Sequence, residues 1–239
     1  MKNVNNFDNY LTTHFVENKD IKAVYKAYED DYGPFLPSDK NASVLDVGCG
    51  TGIFMRYMGS KGYINVTGVD VSAEMVECCK KNNTNNAILI NDLEGYLSSK
   101  RAHFDLIVMN DIIEHIPKAE TIGVLKAIRS SLKKDGLLLV KTGNFSTMAG
   151  QYLRYKDFTH EIAYTESSLK QVLRMAGFND DDIKIRGNRY GYSLRPKSII
   201  RRILLAIWFF VLRVIHTVEM GVDRPRIYSK LLIAICVNH

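Results

Sequence analysis

Asp111, Glu114 and His115 occupy relative positions i, i+3 and i+4 in Asp111-Ile112-Ile113-Glu114-His115-Ile116-Pro117. On a helical turn those positions share a face, so two carboxylates and an imidazole can converge. That donor set suits a hard or borderline divalent ion of the Mg, Mn or Fe class. The imidazole could instead take the proton of a hydroxyl. A second histidine, His160, lies in Asp157-Phe158-Thr159-His160-Glu161-Ile162-Ala163-Tyr164-Thr165. It becomes a fourth ligand or a second base if both loops emerge at the same edge of a sheet. The bland alternative is an acid that holds a histidine by a hydrogen bond, with no metal.

Another constellation lies upstream. Val44-Leu45-Asp46-Val47-Gly48-Cys49-Gly50-Thr51-Gly52 reads as a buried strand running into a glycine turn, and Asp70 ends the next apolar run twenty residues after Gly50. A strand, a glycine turn opening a helix, and an acid about 20 residues on lay an adenosine ribose along a doubly wound sheet. The pattern is G-C-G-T-G rather than the G-x-G-x-x-G that brings a helix N-terminus to a pyrophosphate. Asp46, pointing into that turn, repels a phosphate and suits an ammonium group.

These groups need a scaffold that holds strand ends together. A chain of 239 residues suits one domain with a sizeable core, and 46% hydrophobic with 24% charged residues is an ordinary globular balance. The opening Met1-Lys2-Asn3-Val4-Asn5-Asn6 has no apolar signal-peptide core. Cys49, Cys78, Cys79 and Cys236 show neither metal nor disulfide spacing, so a reduced, cytoplasmic setting is expected. After a helical leader from Phe7 to about Tyr32, strands are expected at Ser43–Val47, Asn65–Val69, Ala87–Ile90, Phe104–Met109, Leu137–Lys141, Ile183–Ile185 and Leu231–Val237. Helices intervene: Ser72 caps one through Lys80, Thr121–Leu132 has helical periodicity before an Asp135-Gly136 turn, and Thr165 caps another through Met175. Such alternation means a parallel sheet with helices on both faces.

The D-V-G-C-G-T-G run closely resembles motif I of the class I S-adenosylmethionine-dependent methyltransferases. The resemblance implies a Rossmann-like α/β fold: a seven-stranded, mostly parallel sheet with an antiparallel last strand. It also implies S-adenosylmethionine as cofactor, held by Asp46, Gly48, Cys49, Gly50, Thr51 and Gly52, with Asp70 and Val71 at the ribose. Asp92 and Leu93 in Asn91-Asp92-Leu93 are similar to that family's adenine contacts, and Phe104 to Asn110 resembles the motif beside the cofactor's methionine part. One domain, 1–239, is expected: a leader or cap (1–42), a cofactor-binding half (43–144) and an acceptor-side half (145–239).

Two metal-dependent methyltransferase families extend the likeness. Ubiquinone-biosynthesis O-methyltransferases carry a similar E-x-x-E-H, and small-RNA 2′-O-methyltransferases place a histidine before an aromatic-Thr helix start, as His160 precedes Tyr164-Thr165. The resemblance extends metal binding to Asp111, Glu114, His115 and His160, although Asp111 is one methylene shorter than the family's glutamate. His115 and His160 are the expected ligands or bases.

The acceptor side differs in composition. Between Lys184 and Lys230 stand eleven Lys or Arg against two acids, a net of +9 in a chain whose total is +6. An anionic partner is expected. An insert at 198–218 contains the apolar run Ile203–Leu212, too short for a membrane span that needs about 20 residues. Flanked by Arg201, Arg202 and Arg213, it reads as an interfacial helix, a dimer face, a lid or a core helix. Asn144-Phe145-Ser146, Tyr155 to Glu161, Tyr164 to Leu169, Gly177-Phe178 and Tyr228 to Ala234 look like bacterial surface-glycan methyltransferases. The leading expectation is therefore O-methylation of a sugar hydroxyl in capsule or lipopolysaccharide synthesis. Alternatives are a ubiquinone-type small-molecule or RNA O-methyltransferase, without a recognised RNA-binding module, and an inactive cofactor-binding partner subunit.

Overall fold

The computed structural model describes residues 20–189 and 196–239. Of the expected leader, residues 7–19 lie outside the described residues; within them is helix α1 (Ile21–Tyr32), whose first turn is capped by the Asp20 carboxylate accepting from the Lys22 and Ala23 amides. In chain order follow β1 (Val44–Val47), α2 (Ile53–Ser60), β2 (Val66–Asp70), α3 (Ala73–Lys81), β3 (Ala87–Leu89), α4 (Leu93–Ser98) and β4 (Phe104–Asn110). The second half adds α5 (Thr121–Ser131), β5 (Leu132–Gly143), α6 (Gly150–Tyr155), α7 (Glu166–Met175), β6 (Ile183–Gly187), α8 (Pro196–Met220) and β7 (Leu231–Asn238).

The seven strands form one sheet in the order β3-β2-β1-β4-β5-β7-β6. Strands β1 to β5 pair in parallel, and β7 runs antiparallel to both neighbours. This is the Rossmann-like sheet expected from the sequence. Strand residues alternate between faces, so each apolar strand contributes to two cores. Leu106 and Val108 pack with Phe54, Met55, Met58 and Val76 from α2 and α3. Ile107 and Met109 pack with Val124, Leu125, Ile128, Leu169 and Leu173 from α5 and α7. Burial on both faces explains why β4 reads as a continuous apolar run rather than an alternating one.

One boundary differs in kind. The Asp135-Gly136 turn expected after α5 lies inside β5, because Asp135 adopts φ +62° and the pairing shifts from Phe104↔Leu132 to Leu106↔Leu137. The turn is a bulge, and both limbs of β5 remain on β4.

Because β7 reverses direction, α8 leaves the end of β6 and returns to the start of β7 at the carboxyl edge of the parallel strands. It is not a core helix. Leu212 is its one buried apolar side chain among the described residues, and Phe209 and His216 lie over Tyr228 at centroid distances of 6.4 and 5.7 Å.

Ile107 is fully buried at the centre of the sheet. Ile107→Ala should destabilise the fold by about 2–5 kcal/mol, read as a lower urea midpoint with an unchanged m-value.

Candidate active site

Asp46, Asp70, Asn110 and Lys141 stand at or near the ends of four parallel strands at one edge, and a cavity of about 1320 Å³ opens there. Open α/β sheets bind ligands at this position. Asp46, Gly48, Cys49, Gly50, Thr51, Asp70, Val71, Asp92, Leu93 and Asn110 all line it. Gly52 stands just behind, as the N-cap of α2.

Local backbone chemistry shapes this wall. Gly48 has φ +66°, and an added Cβ would lie 2.1 Å from Ile112 Cδ1. Gly52, at φ +75°, has the Thr84 hydroxyl 2.6 Å from where a Cβ would sit. Only glycine fits both the conformation and the space. Asp70 pins the turn: its carboxylate accepts from the Gly50 amide at 2.8 Å and from the Ser72 amide at 2.9 Å. Asp92 accepts from the Gly95 amide at 3.0 Å and so caps α4 as well as facing the cavity. Asn110 Oδ1 accepts from the Tyr32 hydroxyl at 2.5 Å, which links the end of β4 to α1.

Burial pushes the Asp46 carboxyl well above the usual carboxylate range, reinforced by Cys79 and Asp70, and burial also raises Asp70. An acidic wall held this far from water is a poor place for a phosphate and a favourable one for a cation.

The opposite wall carries the acid and histidines. Ile113–His115 form a single 3-10 turn, while Asp111 precedes it at φ +55°. Asp111 therefore leaves the shared face expected for i, i+3 and i+4, and its carboxylate pairs with Lys141 at 2.9 Å. Glu114, His115 and His160 do come together, with potential ligand atoms all within 4.8 Å of one another. The backbone makes this junction: the Glu114 carbonyl accepts from the Glu161 amide at 2.7 Å and the Ile162 amide at 3.1 Å. That brace seats the His160 ring 4.8 Å from the His115 ring.

His115 Nδ1 lies 2.9 Å from the Thr159 hydroxyl and 3.3 Å from the Thr159 carbonyl. The same hydroxyl donates to Asp157 Oδ1 at 2.7 Å. A hydroxyl that donates to the carboxylate accepts from the imidazole, so Nδ1 carries the proton and Nε2 is a base or ligand nitrogen. Burial and neighbouring His160 lower the His115 pKa to about 4, which keeps the ring neutral. Burial, then Asp111, raises Glu114 to about 8. Glu114 Oε2 and His160 Nδ1 are both buried without a hydrogen-bond partner.

Sequence reasoning did not single out Lys141, Tyr28 or Tyr32. Lys141 lies near the end of β5 in the cavity wall; burial works to lower its pKa, and Asp111 together with Tyr32 and Tyr28 outweighs this and holds it protonated. Its ammonium lies 5.6 Å from the Tyr28 ring centroid. Burial pushes the Tyr28 hydroxyl up to about 12. The available signal was a lone cation at the end of an apolar strand. The aromatic leader offered too many equivalent candidates to choose between.

If the acidic wall receives S-adenosylmethionine, binding favours ionised Asp46 and releases protons, so affinity should rise with pH. Asp46→Asn should lower affinity by about tenfold or more and flatten that pH dependence, by calorimetry. An acid raised in the fold weakens stability as pH climbs from its unfolded to its folded pKa. The unliganded Asp46→Asn protein should therefore melt no lower than wild type at neutral pH.

A model described as a methyltransferase domain matches residues 21–183. The chain is 32% identical over 109 residues to the ubiquinone biosynthesis O-methyltransferase of Haemophilus ducreyi, covering 42% of this chain and 45% of that protein. The chain thus spans less than half the length of that relative. The fold is similar to a SAM-dependent methyltransferase from Archaeoglobus fulgidus, with TM-score 0.67, 20% identity and 97% of each chain covered. It is also similar to Haemonchus contortus phosphoethanolamine N-methyltransferase 2, solved with S-adenosyl-L-methionine, at TM-score 0.61 and 17% identity over 97% of this chain and 59% of that one.

These relatives overturn the glycan-acceptor expectation, because the curated proteins carry the ubiquinone-type name. Several residues behind the glycan likeness serve packing. Asn144 Nδ2 donates to the Ile227 and Ser229 carbonyls at 2.8 and 2.9 Å, Tyr164 is buried in the core, and Thr165 forms a capping box with Ser168. Such residues hold β7 and α7 in place and report nothing about an acceptor. With its sheet order, its glycine turn and the match across most of its length, the chain belongs to the methyltransferase-domain family.

Proposed function

We propose that this chain is an S-adenosylmethionine-dependent O-methyltransferase of the ubiquinone-biosynthesis type, acting on a hydroxyl of a small phenolic molecule. The observation that carries the reading is the His115–His160 pair beside Glu114, facing the glycine wall across one cavity. The residues fit the cofactor: a buried acid at Asp46, a glycine turn with no room for a Cβ at Gly48 or Gly52, and polar strand ends at Asp70 and Asn110. Asp70 would hold the ribose, Asp92 and Leu93 the adenine, and Asp46 with Asn110 the methionine end. Bound S-adenosylmethionine supplies an electrophilic methyl group on a sulfonium.

The protein's own contribution is positioning and proton removal. His115 Nε2, neutral and oriented through Thr159 and Asp157, takes the acceptor hydroxyl proton as its oxygen attacks. Lys141, fixed by Asp111, gives the cavity a cation that favours the developing oxyanion. Tyr28 on α1 lines the cavity, with Tyr32 buried behind it on Asn110; Asp31 on the same helix accepts from the Arg189 amide at 2.8 Å and pairs with Arg186 at 3.5 Å.

A divalent ion belongs to this reading. The orphaned Glu114 oxygen and His160 nitrogen fit a cation, since a buried carboxylate raised to about 8 is short of positive charge. With the ion bound, Glu114, His160 and His115 Nε2 would hold it, and the ion, by lowering the pKa of a nearby hydroxyl, would take over the part that His115 plays as base without it. Asp111 is engaged with Lys141 and is left out of the set.

Purified protein with labelled S-adenosylmethionine should methylate soluble phenols of the quinone-precursor class. His115→Ala and His160→Ala should each lower kcat by about 100-fold or more while cofactor affinity stays within a few-fold. Turnover within a few-fold of wild type in both variants would refute the assignment. EDTA should abolish activity and added Mg²⁺ or Mn²⁺ restore it; activity indifferent to EDTA removes the metal and leaves the histidine base.

A further inference from the structure

Helix α8 presents two opposite apolar stripes, and the protein occupies one of them. Leu205, Phe209, Leu212 and His216, three or four residues apart, form the line turned toward the domain, where Leu212 is buried and His216 stacks on Tyr228. Ile200, Ile203, Ile207, Phe210, Val214 and Val218 recur at the same spacing half a turn away, and are 47–85% exposed. Exposed apolar stripes of this length are uncommon without a partner.

Charge decides which partner. Lys197 and Arg201 lie to one side of the outer stripe, and Arg202 and Arg213 to the other, with Glu219 the single acid of the helix. A second copy laid along this face offers one acid, Glu219, against four cations, a poor charge match. A bilayer with anionic headgroups accepts both features: the stripe enters the acyl boundary and the long cationic side chains reach up to the phosphates. No helix among the described residues is long and apolar enough to cross a membrane. With its inner stripe held by the domain, α8 offers its outer stripe along a length of about 37 Å, parallel to any surface it meets.

We propose that the outward face of α8 docks the protein on a bilayer carrying anionic lipid. Arg189 and Lys230, on the segments leading into and out of α8, line the cavity. Docking therefore brings the cavity to the lipid surface.

Trp208 is the chain's one tryptophan and is 44% exposed on the flank of this stripe, so the wild-type protein reports its own insertion. Vesicles of phosphatidylcholine with phosphatidylglycerol should shift its emission to the blue and carry the protein down on sedimentation. Pure phosphatidylcholine should bind at least tenfold more weakly, and high salt should weaken the anionic case. Ile203→Glu/Ile207→Glu/Phe210→Glu, all at exposed positions, should lose vesicle binding while methylating a soluble phenol at the wild-type rate. No emission shift and no co-sedimentation of the wild type, or equal binding by the triple variant, would overturn the proposal. Concentration-dependent dimerisation without vesicle binding would overturn it too and assign the stripe to a second copy. Vesicle binding is read without turnover, so its failure is distinct from a failure of the methyltransferase reading.

Discussion

Ionisable groups withdrawn from water at the carboxyl edge of the sheet are the constraint on which this molecule turns. Asp46, Asp70, Asn110 and Lys141 stand at or near the ends of four adjacent parallel strands whose interiors are apolar. Burial raises both acids, and Glu114 beyond them, while Lys141 keeps its proton through Asp111, Tyr32 and Tyr28 acting together against burial. The edge is held in an electrostatically unsatisfied state that a cationic ligand relieves. Binding energy can thus come from offsetting a desolvation cost already built into the fold.

Two braces turn that edge into a working cavity. The Glu114 carbonyl, bonded to two amides of the loop after α6, locks the short 3-10 turn against His160. At the other side, Asp31 at the end of α1 is tied to Arg186 and Arg189, so the aromatic cover is anchored on β6. Both braces join segments distant in sequence. The first is made of backbone groups, so side chains there can change without losing it, whereas the second rests on the Asp31 carboxylate and the Arg186 guanidinium.

The acceptor side shows how likeness can mislead. Asn144, Tyr164 and Thr165 belong to a run similar to surface-glycan enzymes, yet each has a structural role. Asn144 clamps the turn before β7, Tyr164 fills the core, and Thr165 caps a helix. The basic character of the same half has a spatial logic instead. Its cations lie on α8 and on the segments around it, beside the mouth of the cavity.

How much was legible beforehand follows from the range of the forces involved. The glycine turn, Asp70 twenty residues after Gly50, the strand alternation and the capping residues Ser72 and Thr165 are local, so period and spacing determined the α/β sheet and the glycine wall of its cavity. The outward stripe of α8 is also periodic, although its exposure is not. Whether a helix is core or surface depends on what packs against it, and Tyr228 covers one face alone. Asp111 was misplaced because a positive φ breaks the i, i+3, i+4 geometry, and nothing in its neighbours announces that angle. The meeting of His115 with His160, 45 residues later, and the pairing of Lys141 with Asp111 required the tertiary structure, since each is set by which strand ends lie side by side.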